Sequence, residues 1–296
     1  MNVSQAGATN LQLIAFNELA EAAFFNELLF KITNDVEGYE LPDDGEEADY
    51  ILRSLSTILA QEEVHALTAN EALKHLGRRP IEPCVYEFPS TSLHEAIKLA
   101  ATFTSHFAGV LQDVTARFAA NREPDFARVV VSTVGQEGEQ AGFFREFLDK
   151  YPSEVPTLTT SDVNYGFTYI QNFIVPGSCP NIHDIPLRTF LPLEILTPPE
   201  PRTQKIQVAW THAPEESEDG LLWLAYINQL NVPVVVPLQV LSCEDNVSVA
   251  AALFPYDDFL LNGLTIAAVV NRRGPFANTA AVAQHTVYGP GLIVVE

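Results

Sequence analysis

Four long stretches of this chain carry an apolar stripe at helical spacing, and each stripe is broken near its middle by a side chain able to bind metal. The second reads Ile51, Leu55, Ile58, Glu62, His65, Ala69, Ala72, Leu76. Its steps alternate four and three, which predicts all eight residues on one face of a helix. The fourth stretch repeats the pattern with Phe126, Val130, Thr133, Glu137, Gln140, Phe144, Phe147 and Tyr151. The first runs Leu11, Ile14, Glu18, Glu21, Phe25, Leu28, Ile32, and the third Ala96, Leu99, Phe103, His106, Val110, Asp113. A carboxylate or imidazole inside a buried stripe is costly unless it is paired, hydrogen-bonded or metal-bound. Four such interruptions at similar depth predict one shared site.

The chain changes character near residue 200. Helix one is predicted from about Ala8 to Ile32, followed by an acidic loop from Asp35 to Glu47. Helix two ends at Gly77, a C-terminal cap with Pro80 just beyond. Pro80 to Pro89 reads as an extended crossover. Ser92 and Glu95 form a capping box for helix three, and helix four covers about Asp125 to Lys150. A shorter fifth helix is predicted for Ser161 to Phe173. The Pro-rich stretch to Pro201 has no clear period. Beyond it, the runs Ile206–Trp210, Leu221–Ile227, Val232–Val240, Val247–Leu253, Leu264–Val270 and Leu292–Val295 read as about six short strands. The expected class is α+β: a helical unit at 1–175, a Pro-rich linker packed along it at 176–204, and a small β-sandwich at 205–296. There is no nucleotide-binding glycine loop and no internal sequence repeat.

Composition narrows the partners. A formal net charge of −22 argues against nucleic acid and anionic membrane surfaces. No apolar run is long enough to span a bilayer. The first ten residues lack the basic start and apolar stretch of a signal peptide, so the chain as given reads as cytoplasmic, or as secreted if a leader has been removed. Three cysteines cannot all pair within one chain and match no zinc motif. Cys84 and Cys179 both lie in Pro-rich connections, where a bridge between them is one reading. Asn246-Val247-Ser248 is a glycosylation sequon, a triplet common by chance. The histidines at 75, 94, 183, 212 and 285 have no stripe placement and read as surface or loop residues. Asp113 lies too far along its stripe to join the site, and a salt bridge to Arg117 or Arg145 is the simpler role. Trp210 and Trp223 read as β-domain core.

Glu62-x-x-His65 sets a carboxylate and an imidazole one turn apart on one face. Four-helix di-metal carboxylate proteins use a lone Glu from each of two helices and a Glu-x-x-His pair from each of the others. Glu18 supplies one lone Glu, and Glu62 with His65 one pair. Glu137 begins a second pair in which Gln140 stands at the His position, and His106 stands where the second lone Glu belongs.

On these residues the chain resembles the fungal ferritin-like proteins related to late-sexual-development, desiccation-associated and stress-response proteins. The resemblance also rests on Glu18-Leu19-Ala20-Glu21-Ala22-Ala23-Phe24-Phe25, on Cys84-x-Tyr86-x-Phe88-Pro89, and on Glu137 followed by Arg145. Ser178-Cys179-Pro180-Asn181 and Tyr288-Gly289-Pro290-Gly291 add to it. It implies a ferritin-like four-helix bundle and metal-facing roles for Glu18, Glu62, His65 and Glu137. With Gly109 matched to the family's glycine, His106 takes the place of the helix-three glutamate and Gln140 that of the helix-four histidine.

Clustered carboxylates repel one another unless a cation relieves them. The mixed set suits one or two iron ions first, with manganese, copper or zinc as alternatives and a metal-free form left open. Gln140 reads as an orienting partner before a ligand, and Glu21 as a supporting group or substitute ligand. The leading expectation is a metal-dependent oxidation of a small organic substrate using O₂, with His106 as ligand or proton-transfer group and Glu21 beside it. A non-catalytic stress or developmental protein is the second reading. A metal-free enzyme using Glu and His as acid and base is the third. Iron storage is disfavoured, because the β-domain and acidic loop would hinder a closed shell. A homodimer is left open.

Overall fold

The computed structural model describes residues 3–153, 155–212 and 221–295. Four long helices come first: α1 (Gln5–Thr33), α2 (Gly45–His75), α3 (Leu93–Ala120) and α4 (Pro124–Phe147). Helix α5 (Val163–Ile170) follows and runs into a 3-10 turn at Gln171–Phe173. Then come the strands β1 (Glu194–Ile195), β2 (Gln204–Thr211), β3 (Trp223–Asn228), β4 (Val234–Pro237), β5 (Gln239–Glu244) and β6 (Val247–Phe254). Helix α6 (Tyr256–Phe259), β7 (Gly263–Val270), α7 (Thr279–His285) and β8 (Thr286–Val295) close the chain. Two compact units form. One takes in residues up to Thr104, Val114–Pro152 and Tyr169–Leu187; the other takes in Ser105–Asp113, Ser153–Thr168 and the chain from Arg188 onward.

Each long helix starts where its sequence offers the free N–H groups a partner. Ser4 accepts from Gly7 N, and Asp44 from Glu46 N and Glu47 N. Ser92 accepts from Glu95 N, while the Glu95 carboxylate reaches back to Thr91 N at 2.9 Å, one residue short of the expected box. Pro124 opens α4, where its missing N–H costs nothing. Gly77 ends α2 as predicted: at φ +68° it lets Arg78 N reach Leu73 O and its own N–H reach Lys74 O. Helices α1 to α4 thus reproduce the predicted order, with α4 ending earlier than expected. Tyr151, predicted on its stripe, lies beyond the helix and is 84% exposed.

In the first unit an aromatic cluster of Phe24, Phe25, Phe103 and Phe144 forms the centre of the core. Phe25 stacks on Phe144 with ring centroids 5.9 Å apart. The crossover after α2 is tied down by a disulfide between Cys84 and Cys179. Beside it, Glu87 N donates to Phe173 O and Val175 N to Val85 O, so the crossover pairs with the chain that follows α5. Asn181 adds a bond to Pro80 O at 2.8 Å and accepts from Glu82 N at 3.0 Å.

The second unit holds two four-stranded antiparallel sheets, ordered β1-β2-β6-β5 and β4-β3-β7-β8. Val208, Trp210 and Phe254 of one sheet share a core with Leu224, Tyr226 and Val269 of the other. Trp223 packs partly buried against a second cluster built around Tyr165, Ile227, Ile266 and Val282. Four departures from the sequence reading have physical causes. The run Val232–Val240 is not one strand: Pro237 ends β4 at the edge of one sheet, and the chain resumes as β5 at the edge of the other. The stretch 176–204 is not wholly irregular, since it supplies β1 and a 3-10 turn at Ile182–Asp184. Helix α7 has no apolar period, and forms on an Asn278 cap that accepts from Ala281 N. The predicted fifth helix shortens to α5 plus the 3-10 turn.

Candidate metal centre

The buried face of α1 carries all seven residues of its predicted stripe, including Glu18 at 0% exposure and Glu21 at 3%. On α2 the buried stripe is Ile51, Leu55, Ile58, Glu62, Ala66, Ala69 and Leu73. It slides by one residue after Glu62, because a straight helix at 3.6 residues per turn drifts away from a strict four-three alternation. His65 is thereby left at the rim of the stripe, with its side chain 17% exposed. On α4 the buried positions are Val130, Glu137, Gln140 and Phe144. One turn beyond Glu21 and Gln140 stand Phe25 and Phe144, so the stacked rings close the polar layer on that side.

Glu18, Glu62, His65 and Glu137 each offer one ligand atom, and these four atoms lie within 4.8 Å of one another. His65 Nδ1 is 3.0 Å from Glu62 Oε2, 3.4 Å from Glu18 Oε2 and 3.9 Å from Glu137 Oε1. Both carboxylate oxygens of Glu18 and both of Glu137 are buried with no hydrogen-bond partner, as is Oε2 of Glu21. Such oxygens stay ionised only if a cation compensates them. Without one, burial pushes the Glu18, Glu21 and Glu137 carboxyls well above the usual range, and repulsion from Glu62 and among the clustered carboxylates adds to it. Buried, unpartnered carboxylate oxygens converging on an imidazole nitrogen are a donor set that fits a divalent ion of the iron, manganese, copper or zinc group.

The other predicted residues divide. Gln140 stands beside the cluster: its Nε2 donates to Glu62 Oε1, and to Gln61 Oε1 at 3.3 Å. Glu21 also belongs to the buried layer and accepts from Asn17 Nδ2 at 3.1 Å. His106 is fully buried on α3, in the stretch Ser105–Asp113 that groups with the second unit, and is not among the four converging residues. Asp113 accepts from Val163 N at the start of α5, and Arg117 donates to Asn10 Oδ1. Among the histidines read as surface or loop, His212 is half-buried, with Nε2 2.7 Å from Ser248 Oγ. Three polar residues around the site escaped the sequence reading. Gln61 accepts from Gln136 at 2.7 Å and from Gln140, while Asn17 holds Glu21. Their only sequence signal is adjacency to Glu62, Glu137 and Glu18.

Long helices contributing inward carboxylates and one Glu-x-x-His pair make a helical bundle with a Glu/His group that could hold a metal ion. Residues 8–150 match the family model of the ferritin-like domain. No curated protein matches the chain. Among the described residues no helix is long and apolar enough to cross a membrane.

Proposed function

We propose that this protein binds a divalent transition-metal ion through Glu18, Glu62, His65 and Glu137 and uses it to oxidise a small organic substrate, with O₂ as the electron acceptor. The observation that carries the reading is the convergence of four ligand atoms within 4.8 Å, with the Glu18 and Glu137 oxygens buried and unpartnered. When bound, such an ion supplies Lewis acidity and, if redox-active, electron transfer. The protein groups do the rest. Glu18, Glu62 and Glu137 set the charge of the centre, and burial keeps bulk water from screening it. His65 is the partly exposed member of the set, which makes its side of the bundle the approach for a small molecule. Asn17 orients Glu21, which stands ready to hold or pass a proton next to the ion.

Kinship with the fungal development- and stress-related branch of ferritin-like proteins is part of this proposal and rests on the helix-one Glu-rich segment, the Glu62/His65 pair and the cysteine-flanked connections. The Cys84–Cys179 bridge supports an oxidising compartment as the place of action. The test is metal analysis of protein purified without chelators, alongside Glu62→Ala, with oxygen uptake followed over a panel of small phenols, amines and aldehydes. Bound metal in the wild type that is lost in the variant supports the centre, and metal-dependent oxygen uptake supports the oxidation. Protein that takes up no iron, manganese, copper or zinc ends the proposal.

A further inference from the structure

We infer that this centre holds a single metal ion, and that Gln140 is the residue that positions Glu62 for it. The inference rests on the metal-binding reading above and deepens it. A two-ion bundle site draws on two Glu-x-x-His pairs, and this chain has one: on α4 Glu137 is followed at the histidine position by Gln140. Size points the same way. Metal–oxygen and metal–nitrogen bonds of about 2.0–2.2 Å set opposite ligands of one ion roughly 4 Å apart. Two ions about 3.5–4 Å apart would need outer ligands spread to roughly 8 Å. One ligand atom from each of the four residues lies within 4.8 Å of the others, a spread close to that of a single ion's ligands.

Gln140 explains how the cage is set. Its Nε2 donates to Glu62 Oε1 and to Gln61 Oε1, while Glu62 Oε2 lies 3.0 Å from His65 Nδ1. The amide therefore holds one oxygen of Glu62 in a hydrogen bond and leaves the other for the ion. With its nitrogen committed to Glu62 and Gln61, the amide has only Oε1 to offer, buried and without a hydrogen-bond partner, a neutral and weaker donor than the imidazole a second pair would place there. Gln140 is a positioning residue that acts through Glu62.

The test is a titration of the metal-stripped, full-length protein with Mn(II) and with Co(II), read by equilibrium dialysis and electron paramagnetic resonance. One equivalent per chain with a magnetically isolated Mn(II) signal is expected. Two equivalents with an exchange-coupled signal overturn the inference while leaving the metal reading intact. No uptake overturns the metal reading itself. Gln140→Met, matched in length and checked for helix content by circular dichroism, should keep one equivalent and bind it about 10- to 100-fold more weakly. Unchanged or tighter binding would remove Gln140 from that role. The wild-type stoichiometry decides the one-ion claim whether or not the variant folds.

Discussion

His106 is fully buried on α3, and burial pushes its imidazole down to about 4, against a backbone hydrogen bond at Tyr165 that acts the other way. The unfolded chain takes up this proton near the ordinary value of about 6.5, well before the folded chain does. The stabilisation is therefore complete above pH 6.5 and lost as pH falls toward 4, with about 2 kcal/mol gone by pH 5. The buried carboxyls act with the opposite sign in metal-free protein, since their raised values let the folded state keep protons that the unfolded state has released. The difference between wild type and His106→Leu isolates the histidine. Urea midpoints at pH 7.5 and pH 5 should show the wild type losing about 2 kcal/mol more than the variant. Equal losses would mean that His106 takes its proton at an ordinary pH. Glu18, Glu62, His65 and Glu137 were legible in the sequence because each interrupts an apolar stripe, which only a polar site explains. Gln61, Gln136 and Asn17 were not, because the partners that give them meaning lie on other helices or a turn away.

At the scale of elements, caps and periods carried the helices: Ser92, Asp44 and Gly77 act through local hydrogen bonds that a sequence displays directly. The β-half was less legible because its pairing is non-local. Strand β7 is buried on both faces along its whole length, so it reads as an apolar run with no alternation to show which sheet it joins. Strands β4 and β5 are continuous in sequence and belong to different sheets, a break marked only by Pro237. Within the second unit α3 makes a close backbone approach at Gly109. A methyl group there would sit 2.2 Å from Thr159 O, and Ser161 N donates to Gly109 O at 3.1 Å. Neither backbone can yield without breaking that bond, so Gly109→Ala should destabilise by about 2–4 kcal/mol despite its better helix propensity. Thermal unfolding measures it, and a gain in midpoint would show that the backbones part freely.

A chain of formal charge −22 folds against its own repulsion, so cross-links weigh heavily in what holds it together. The sequence left the Cys84–Cys179 bridge as one reading of three cysteines, since spacing alone does not choose a pairing; contacts around Pro80, Val85 and Asn181 bring the two together. The bridge joins residues 95 apart in sequence, a long loop whose closure removes much freedom from the unfolded chain. Chain-entropy arguments put that at about 4–5 kcal/mol, reduced by whatever structure the unfolded state retains. The proposed ligands Glu18, Glu62, His65 and Glu137 stand on α1, α2 and α4 and not in the two connections that carry the cysteines, so the bridge and the proposed metal site should separate experimentally. Replacing both cysteines, Cys84→Ser with Cys179→Ser, should lower the urea midpoint by the equivalent of about 3–5 kcal/mol while the metal bound per folded chain stays the same. If metal content falls together with stability under conditions where the chain is still folded, the bridge is holding the ligands in place, and the centre is less preorganised than its buried carboxylates imply.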